Sequence, residues 1–224
     1  MQRHAIAVMA KAPQAGAVKT RLVPPLTPEL AAELYRCLLI DKLLQVGQLP
    51  EVDRYLAYTP AGSRSLMREL APPPFTLIPQ AGADLGDRLH RVSAALLDRG
   101  HPGVIIVDSD TPTLPSGYLV EALRHLSREV IDLVLGPAED GGYYLIGLKR
   151  PCRALFEDIP WSTPLVLPET LRHASTQQLR TALLPSWFDV DTAEDLLRLR
   201  RDLATNGTPA ATHTRAFLLD HRGG

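Results

Sequence analysis

Residues 104–115, VIIVDSDTPTLP, run through four consecutive β-branched residues and then break into two aspartates and two prolines. A strand with no polar position must be covered on both faces, so it belongs inside a sheet flanked by helices. The rest of the chain supplies partners of the same kind. AIAVM (5–9), VDRYLAY (52–58), FTLIP (75–79), DLVLG (132–136) and YYLIGL (143–148) read as further strands. Helical patterns lie between them. Thr27-Pro28-Glu29 has the form of an N-cap, a proline at the first helical position and an acid in the first turn. Leu30, Leu34, Leu38 and Leu39 follow at helical spacing, and residues 85–98 and 116–128 are patterned alike. This alternation predicts an α/β fold with a mostly parallel central sheet and helices on both faces.

The 224 residues suffice for one sizeable domain, read here as residues 1–204, with a mobile tail over 205–224. Within that tail AFLL (216–219) could dock as a short helix. A net charge of -1 gives none of the positive field that a general nucleic-acid or anionic-membrane binder needs. No apolar run reaches the roughly 18 residues of a membrane-spanning helix. AIAVMA followed by Lys11 is too short and wrongly flanked for a signal peptide. Cys37 and Cys152 have no metal-ligand spacing and suit a cytoplasmic location.

Four stretches carry candidate chemistry. The turn after the first strand, KAPQAGAVKTRL, holds Gly16 with Lys11, Lys19 and Arg21. Ligands of open α/β sheets bind outside the carboxyl ends of the strands, and such a turn offers N–H groups and charge to phosphate oxygens. It is equally an ordinary solvated loop, and it matches neither a Walker A loop nor a dinucleotide turn. Asp108 and Asp110 end the VIIV strand. In an extended chain residues i and i+2 share a side, and two carboxylates there repel unless a cation lies between them. Mg²⁺ is commonly held by one or two carboxylates plus substrate phosphates. The alternative is that Asp110 caps the turn and Asp108 is a solvated strand end. In GPAEDGGYYLIGL, Glu139 and Asp140 abut Gly141 and Gly142, which suits either a close approach to a ligand or a plain hairpin. FDVDTAEDLL places Asp189 and Asp191 before a helix, where Asp191 or Thr192 is an N-cap with Glu194 or Asp195 completing a capping box. Capping by Thr192 would leave the Asp191 carboxylate free.

Taken in order, KAPQAGAVKTRL, QAGADLGDRL, VDSDTPTLP, GPAEDGGYYLIGL, IPWSTPLVLPETL and DVDTAEDL resemble a bacterial family of GT-A-fold transferases, the DUF2064 group, over about residues 4–200. AVKTRLVPPLTPE is also similar to the N-terminal turn of phospholactate guanylyltransferases, and DVDTAEDL to the closing motif of several sugar nucleotidyltransferases. The resemblance implies a Rossmann-like GT-A (nucleotide-diphospho-sugar transferase) fold and a divalent-metal site for Mg²⁺ or Mn²⁺. Asp110 and Asp191 would be metal ligands with Asp108 beside them. Lys19 and Arg21 would meet phosphates, and Lys11 and Gly16 share their turn. Gln80, Gly82 and Gly86 would line the pocket near the base. Glu139 and Asp140 would face acceptor or sugar, with Gly141 and Gly142 giving close backbone approach. Trp161 and Thr163 lie in a family motif whose role the residues do not reveal. RLVPPL departs from the pyrophosphorylase pattern, since no lysine follows its prolines.

The expectation is therefore a metal-dependent glycosyltransferase that uses an NDP-sugar and a small acceptor. Asp140 is the expected general base, because adjacent Glu139 and Asp140 point to opposite sides and Asp140 meets the glycines. The alternatives are a nucleotidyltransferase releasing pyrophosphate and a nucleotide-binding regulator without catalysis. The many carboxylates near an anionic ligand argue against the last.

Overall fold

Strand β1 (His4–Lys11) lies inside the sheet, and its side chains alternate between two apolar layers. Ile6, Val8 and Ala10 enter one layer, and Ala5 and Ala7 enter the other. A computed structural model describes residues 2–205 and 211–221 of the chain. After β1 come α1 (Pro28–Gly47), β2 (Val52–Thr59), α2 (Arg64–Leu70), β3 (Thr76–Pro79), α3 (Leu85–Leu97), β4 (Val104–Val107) and α4 (Ser116–Leu126). Then follow β5 (Leu133–Pro137), β6 (Tyr143–Leu148), α5 (Val166–Thr176), β7 (Thr181–Leu183), α6 (Ala193–Thr205) and α7 (Thr212–Asp220).

The seven strands form one sheet in the order β3-β2-β1-β4-β6-β5-β7. The first four pair in parallel, β6 runs antiparallel to β4 and β5, and β7 returns parallel to β5. Only the short turn 138–142 joins β5 to β6, and so short a connection can only make an antiparallel pair. The predicted mostly parallel sheet is present. Its seventh strand is three residues long, too short to show an alternation in sequence.

VIIV is buried at all four positions, as its composition demands. Ile105 and Val107 join α1, α2 and α4 on one face, while Val104 and Ile106 join α3 and α5 on the other. Thr27 caps α1 by accepting the Leu30 N–H at 3.2 Å. This helix is buried on two sides. Leu39, Leu43 and Val46 meet the sheet, and Ala31, Leu34 and Leu38 meet Leu196, Leu199 and Leu203 of α6 and Phe217 of α7.

The mobile tail expected from residue 205 is replaced, over Thr212–Asp220, by a docked helix. Phe217 and Leu218 are buried, and the Asp41 carboxylate of α1 accepts the N–H groups of His213 (3.1 Å) and Thr214 (2.8 Å). A carboxylate from one helix thus caps the N-terminus of another, satisfying donors that have no partner inside it. Residues 206–210 and 222–224 of the expected tail lie outside the described residues. The connections from β1 and β4 leave toward opposite ends of the sheet, so a crevice opens beyond their carboxyl ends.

Candidate active site

A cleft of about 550 Å³ occupies that crevice. Met9, Leu85, Leu89, Tyr143 and Trp161 give it apolar walls, and Asp108, Asp110, Asp140, Asp189, Asp191 and Arg21 supply its polar groups. Five carboxylates from three distant stretches of sequence therefore converge on one space.

The strand ends at Val107, so the i, i+2 argument for Asp108 and Asp110 does not apply; the chain bends instead. Asp108 folds back, accepting the Thr111 hydroxyl at 2.7 Å and lying 3.4 Å from the Asp110 N–H. Asp108 thus serves the turn with one oxygen, a role that sequence reading gave to Asp110. Burial pushes its pKa up to about 6, with Lys42 opposing the shift. Asp110 instead reaches Lys19, 2.9 Å away. The neighbouring Ser109 hydroxyl donates to Asp110 Oδ1 at 3.2 Å and is 2.9 Å from the Tyr35 hydroxyl of α1.

The second acidic motif is tied to the first. The Val190 N–H donates to the Asp110 carbonyl at 3.1 Å. Thr192 and Asp195 form the capping interaction of α6, with Asp195 accepting from the Thr192 hydroxyl (2.7 Å) and returning its N–H (3.3 Å). Asp191 is thereby left for the cleft. Lys19 Nζ donates to its Oδ1 at 2.7 Å, so one ammonium bridges Asp110 and Asp191. Burial works against the Lys19 charge, but the two carboxylates outweigh it and raise its pKa above the ordinary lysine value. Burial likewise opposes ionisation of Asp191, and Lys19, then Arg21 and Lys11, reverse it and hold its pKa low.

Lys19 was expected on phosphates. Its side chain is only 4% exposed and is committed to two carboxylates, so in this structure it is an internal counter-cation. Arg21 is 70% exposed on the cleft, 3.9 Å from Asp191, and is free to reach a ligand anion. Lys11 is exposed at the end of β1, and Gly16 is exposed in the same turn; neither lines the cleft.

Gln80 is spent on the fold: its Nε2 donates to the carbonyls of Ala10 (3.1 Å) and Ala57 (2.7 Å), stitching the ends of β1 and β2. Gly82 lies against the backbone of Arg88. Gly86 packs on Trp161, and a Cβ there would sit 2.6 Å from the Phe156 carbonyl oxygen. None of these three lines the cleft, although Gly86 lines an adjoining pocket that shares Trp161 with it. Trp161 instead forms part of the cleft wall, edge-on to Tyr143 at 6.4 Å between ring centres. The Thr163 hydroxyl donates to the Pro160 carbonyl at 2.7 Å and holds that loop.

Asp140 and Glu139 lie in the turn between β5 and β6, not in the extended segment expected, and still point apart. Asp140 lines the cleft, and its Oδ1 accepts the Gly142 N–H at 2.9 Å. Glu139 turns away into a fork with Arg198 (2.5 and 2.9 Å), which lowers its pKa. It is therefore not a cleft carboxylate. Gly141 adopts φ +92°, and a Cβ there would lie 2.4 Å from the Pro164 oxygen, so this turn needs glycine to let the Trp161 loop close against it.

Sequence reasoning gave no role to two contributors. Asp189 lines the cleft; burial, followed by Asp191, Asp140 and Asp108, pushes its pKa up to about 7. Its signal was the second D-x-D, a repeat of the first. Lys42 of α1 had no signal beyond a lysine on a buried helix. Its ammonium, fully buried, donates to Thr111 Oγ1 (2.9 Å) and Gln45 Oε1 (3.0 Å), beneath Asp108. Burial pushes its pKa down to about 8.

Among the described residues, no group of three or more His, Cys, Asp or Glu side chains is already arranged as a metal cage. The donor set of the cleft still suits a hard divalent cation. Asp110 and Asp191 offer carboxylate oxygens to one point, and that point holds a cation, the Lys19 ammonium. No helix among the described residues is long and apolar enough to cross a membrane.

Comparison with known proteins places this geometry. A crystal structure described as a putative nucleotide-diphospho-sugar transferase from Desulfovibrio desulfuricans G20 is 32% identical, with a TM-score of 0.90 over 99% of this chain and 96% of its own. CMP:2-keto-3-deoxy-manno-octonic acid synthetase complexed with CTP shares the fold at 12% identity (TM-score 0.58, 90% of this chain and 98% of that one). The 4-diphosphocytidyl-2C-methyl-D-erythritol synthase of Anaerococcus prevotii DSM 20548 does so at 10% (TM-score 0.61, 90% and 96%). No curated protein matches the sequence. The family model described as an uncharacterized protein conserved in bacteria (DUF2064) matches residues 42–163. With that match and the near-complete agreement with the Desulfovibrio structure, the chain belongs to the DUF2064 family and has the nucleotide-diphospho-sugar transferase fold.

Proposed function

We propose that the protein is a metal-dependent glycosyltransferase that moves a sugar from an NDP-sugar to the hydroxyl of a small acceptor. The observation that carries this reading is the convergence of Asp110 and Asp191 with the exposed Arg21 over the crevice between β1 and β4. Asp110 and Asp191 would hold a divalent cation, Mg²⁺ or Mn²⁺, which when bound offsets diphosphate charge and eases departure of the nucleoside diphosphate. Arg21, exposed at the cleft rim, would grip phosphate oxygens. The apolar wall of Met9, Leu89, Tyr143 and Trp161 gives sugar or base a surface that excludes water. Asp140 accepts the proton of the acceptor hydroxyl as the acceptor oxygen bonds to the anomeric carbon and the bond from that carbon to the phosphate oxygen breaks.

Nucleotidyl transfer is the second reading, supported by the shared fold of the two cytidylyl enzymes and weakened by the missing lysine after RLVPPL. Product analysis separates the two. The purified protein is incubated with a panel of NDP-sugars, or of NTPs and phosphorylated small molecules, with Mg²⁺ or Mn²⁺. Release of free NDP supports glycosyl transfer, and release of pyrophosphate overturns it in favour of nucleotidyl transfer. A thermal-shift screen selects the nucleotide first, since ligand at 100 times its Kd stabilises by about 2.7 kcal/mol. That stabilisation should require the divalent ion and vanish in Asp110→Ala.

A further inference from the structure

Lys19 occupies the oxygens that a divalent cation would need. Its ammonium lies 2.9 Å from Asp110 Oδ2 and 2.7 Å from Asp191 Oδ1. The other oxygens of the two carboxylates already face donors: Asp110 Oδ1 accepts from Ser109, and Asp191 Oδ2 lies 3.9 Å from Arg21. A divalent ion takes oxygens at about 2.0–2.1 Å for Mg²⁺, and to sit between the same two oxygens it needs the point that the ammonium holds. Two cations at that distance would also repel. Without either cation, the two carboxylates would face each other unpaired, at a cost.

Lys19 is carried by a loop. It is not part of a helix or strand, and it sits just before the short 3-10 turn Thr20–Leu22. Its own backbone is in the left-handed region at φ 48°, ψ 37°, which non-glycine residues hold only when their surroundings compel it. Two residues on, Arg21 is already exposed at the cleft rim.

We propose that Lys19 is an exchangeable internal cation. It holds Asp110 and Asp191 together while no divalent ion is bound and yields their oxygens when the ion enters. The released ammonium then moves toward the Arg21 rim, where it joins the phosphate-binding charge. This inference rests on the reading of Asp110 and Asp191 as divalent-ion ligands.

The test uses the wild-type protein and an amine-acylating reagent, with labelling followed residue by residue by mass spectrometry. Without divalent ion, Lys19 is protected. At saturating Mg²⁺, with saturation set by calorimetry, its labelling should accelerate by about tenfold or more, corresponding to at least about 1.4 kcal/mol. Lys42, 1% exposed and hydrogen-bonded to Thr111 and Gln45 and not to Asp110 or Asp191, should stay protected throughout and serves as the internal control. Unchanged protection of Lys19 at saturating Mg²⁺ overturns the exchange. Lys19→Met provides a second measurement: without the competitor, Mg²⁺ should bind about tenfold more tightly, and equal or weaker binding by the folded variant overturns the proposal. If the variant does not fold, the wild-type labelling decides. Asp110→Asn separates the two levels. Mg²⁺ binding that is absent from wild type, or unaffected by Asp110→Asn, removes the metal reading and the exchange with it. Asp110-dependent binding with Lys19 still protected removes the exchange alone.

Discussion

Asp140 and Glu139 are neighbours in sequence with opposite surroundings, and this makes them a controlled pair. Asp140 faces the cleft, whereas Glu139 is forked to Arg198 at a mostly exposed site. With a donor and acceptor in hand, Asp140→Asn should lower kcat by about 10²–10⁴-fold with little change in nucleotide Kd. Glu139→Gln should leave kcat near wild type and cost at most about 1 kcal/mol, the range of an exposed ion pair. Wild-type turnover in Asp140→Asn would make the segment a positioning turn. Asp189 gives a test by pH. Its folded pKa, about 7, stands above its ordinary value of 3.8, so the folded state binds the proton more tightly than the unfolded state does. The associated stability is complete below about pH 4 and is lost as pH rises through 7. Asp189→Asn should therefore raise Tm at pH 8, by about 2–4 °C for each kcal/mol of relieved burial cost and repulsion, and leave it unchanged at pH 4. Equal shifts at both pH values would show that neither burial nor the neighbouring carboxylates penalise an ionised Asp189.

At the scale of elements, α1 does more than cover the sheet. Tyr35 and Lys42, seven residues apart and so on one face, both reach under the acidic loop, Tyr35 to Ser109 and Lys42 to Thr111. The loop that carries Asp110 is thus positioned by a helix as well as by its own strand. Lys42→Met keeps the length of the side chain and removes its charge. It leaves Gln45 Oε1 and Thr111 without that donor, each loss worth about 1–3 kcal/mol when buried, and leaves Asp108 without its nearest opposing charge. The variant should melt lower than wild type. The deficit should be larger at pH 7 than at pH 5, because at pH 7 Asp108 is mostly ionised while Lys42 still carries its charge. A pH-independent deficit in thermal melts would reduce Lys42 to a packing residue. The pattern of leucines made α1 legible as a helix; its two polar props were not, because a buried lysine looks in sequence like any solvated one.

For the whole molecule, α6 and α7 close a third core against the outer side of α1, and α1 in turn supports the cleft. Removal of residues 211–224 would expose the apolar partners of Phe217 and Leu218, each worth about 1.5–3 kcal/mol. It would also leave the buried Asp41 carboxylate without the N–H groups it accepts. The truncated protein should lose about 6–24 °C in Tm, at 2–4 °C per kcal/mol, while retaining divalent-ion binding at a temperature where it stays folded. A truncation that melts like the full chain would show α7 to be dispensable.

The local patterns of the chain determined its first six strands, its main helices and its fold class, because burial on two faces or one leaves a period of two or 3.6 in the sequence. Thr27 and the Thr192–Asp195 box could be read for the same reason, since a cap is satisfied within four residues. Asp110, Asp191, Arg21 and Asp140 were legible as acidic or basic motifs at the ends of elements. Tertiary structure alone decided which charge meets which. Lys19 and Asp191 are separated by 172 positions and joined at 2.7 Å. That pairing turned an expected phosphate ligand into a bridge between carboxylates. The tertiary structure also sent Glu139 to Arg198, put Lys42 beneath Asp108 and folded Thr212–Asp220 of the expected tail onto α1. Charges act through space and not along the chain, so their partners are set only once the sheet has brought β1, β4 and the start of α6 to one crevice.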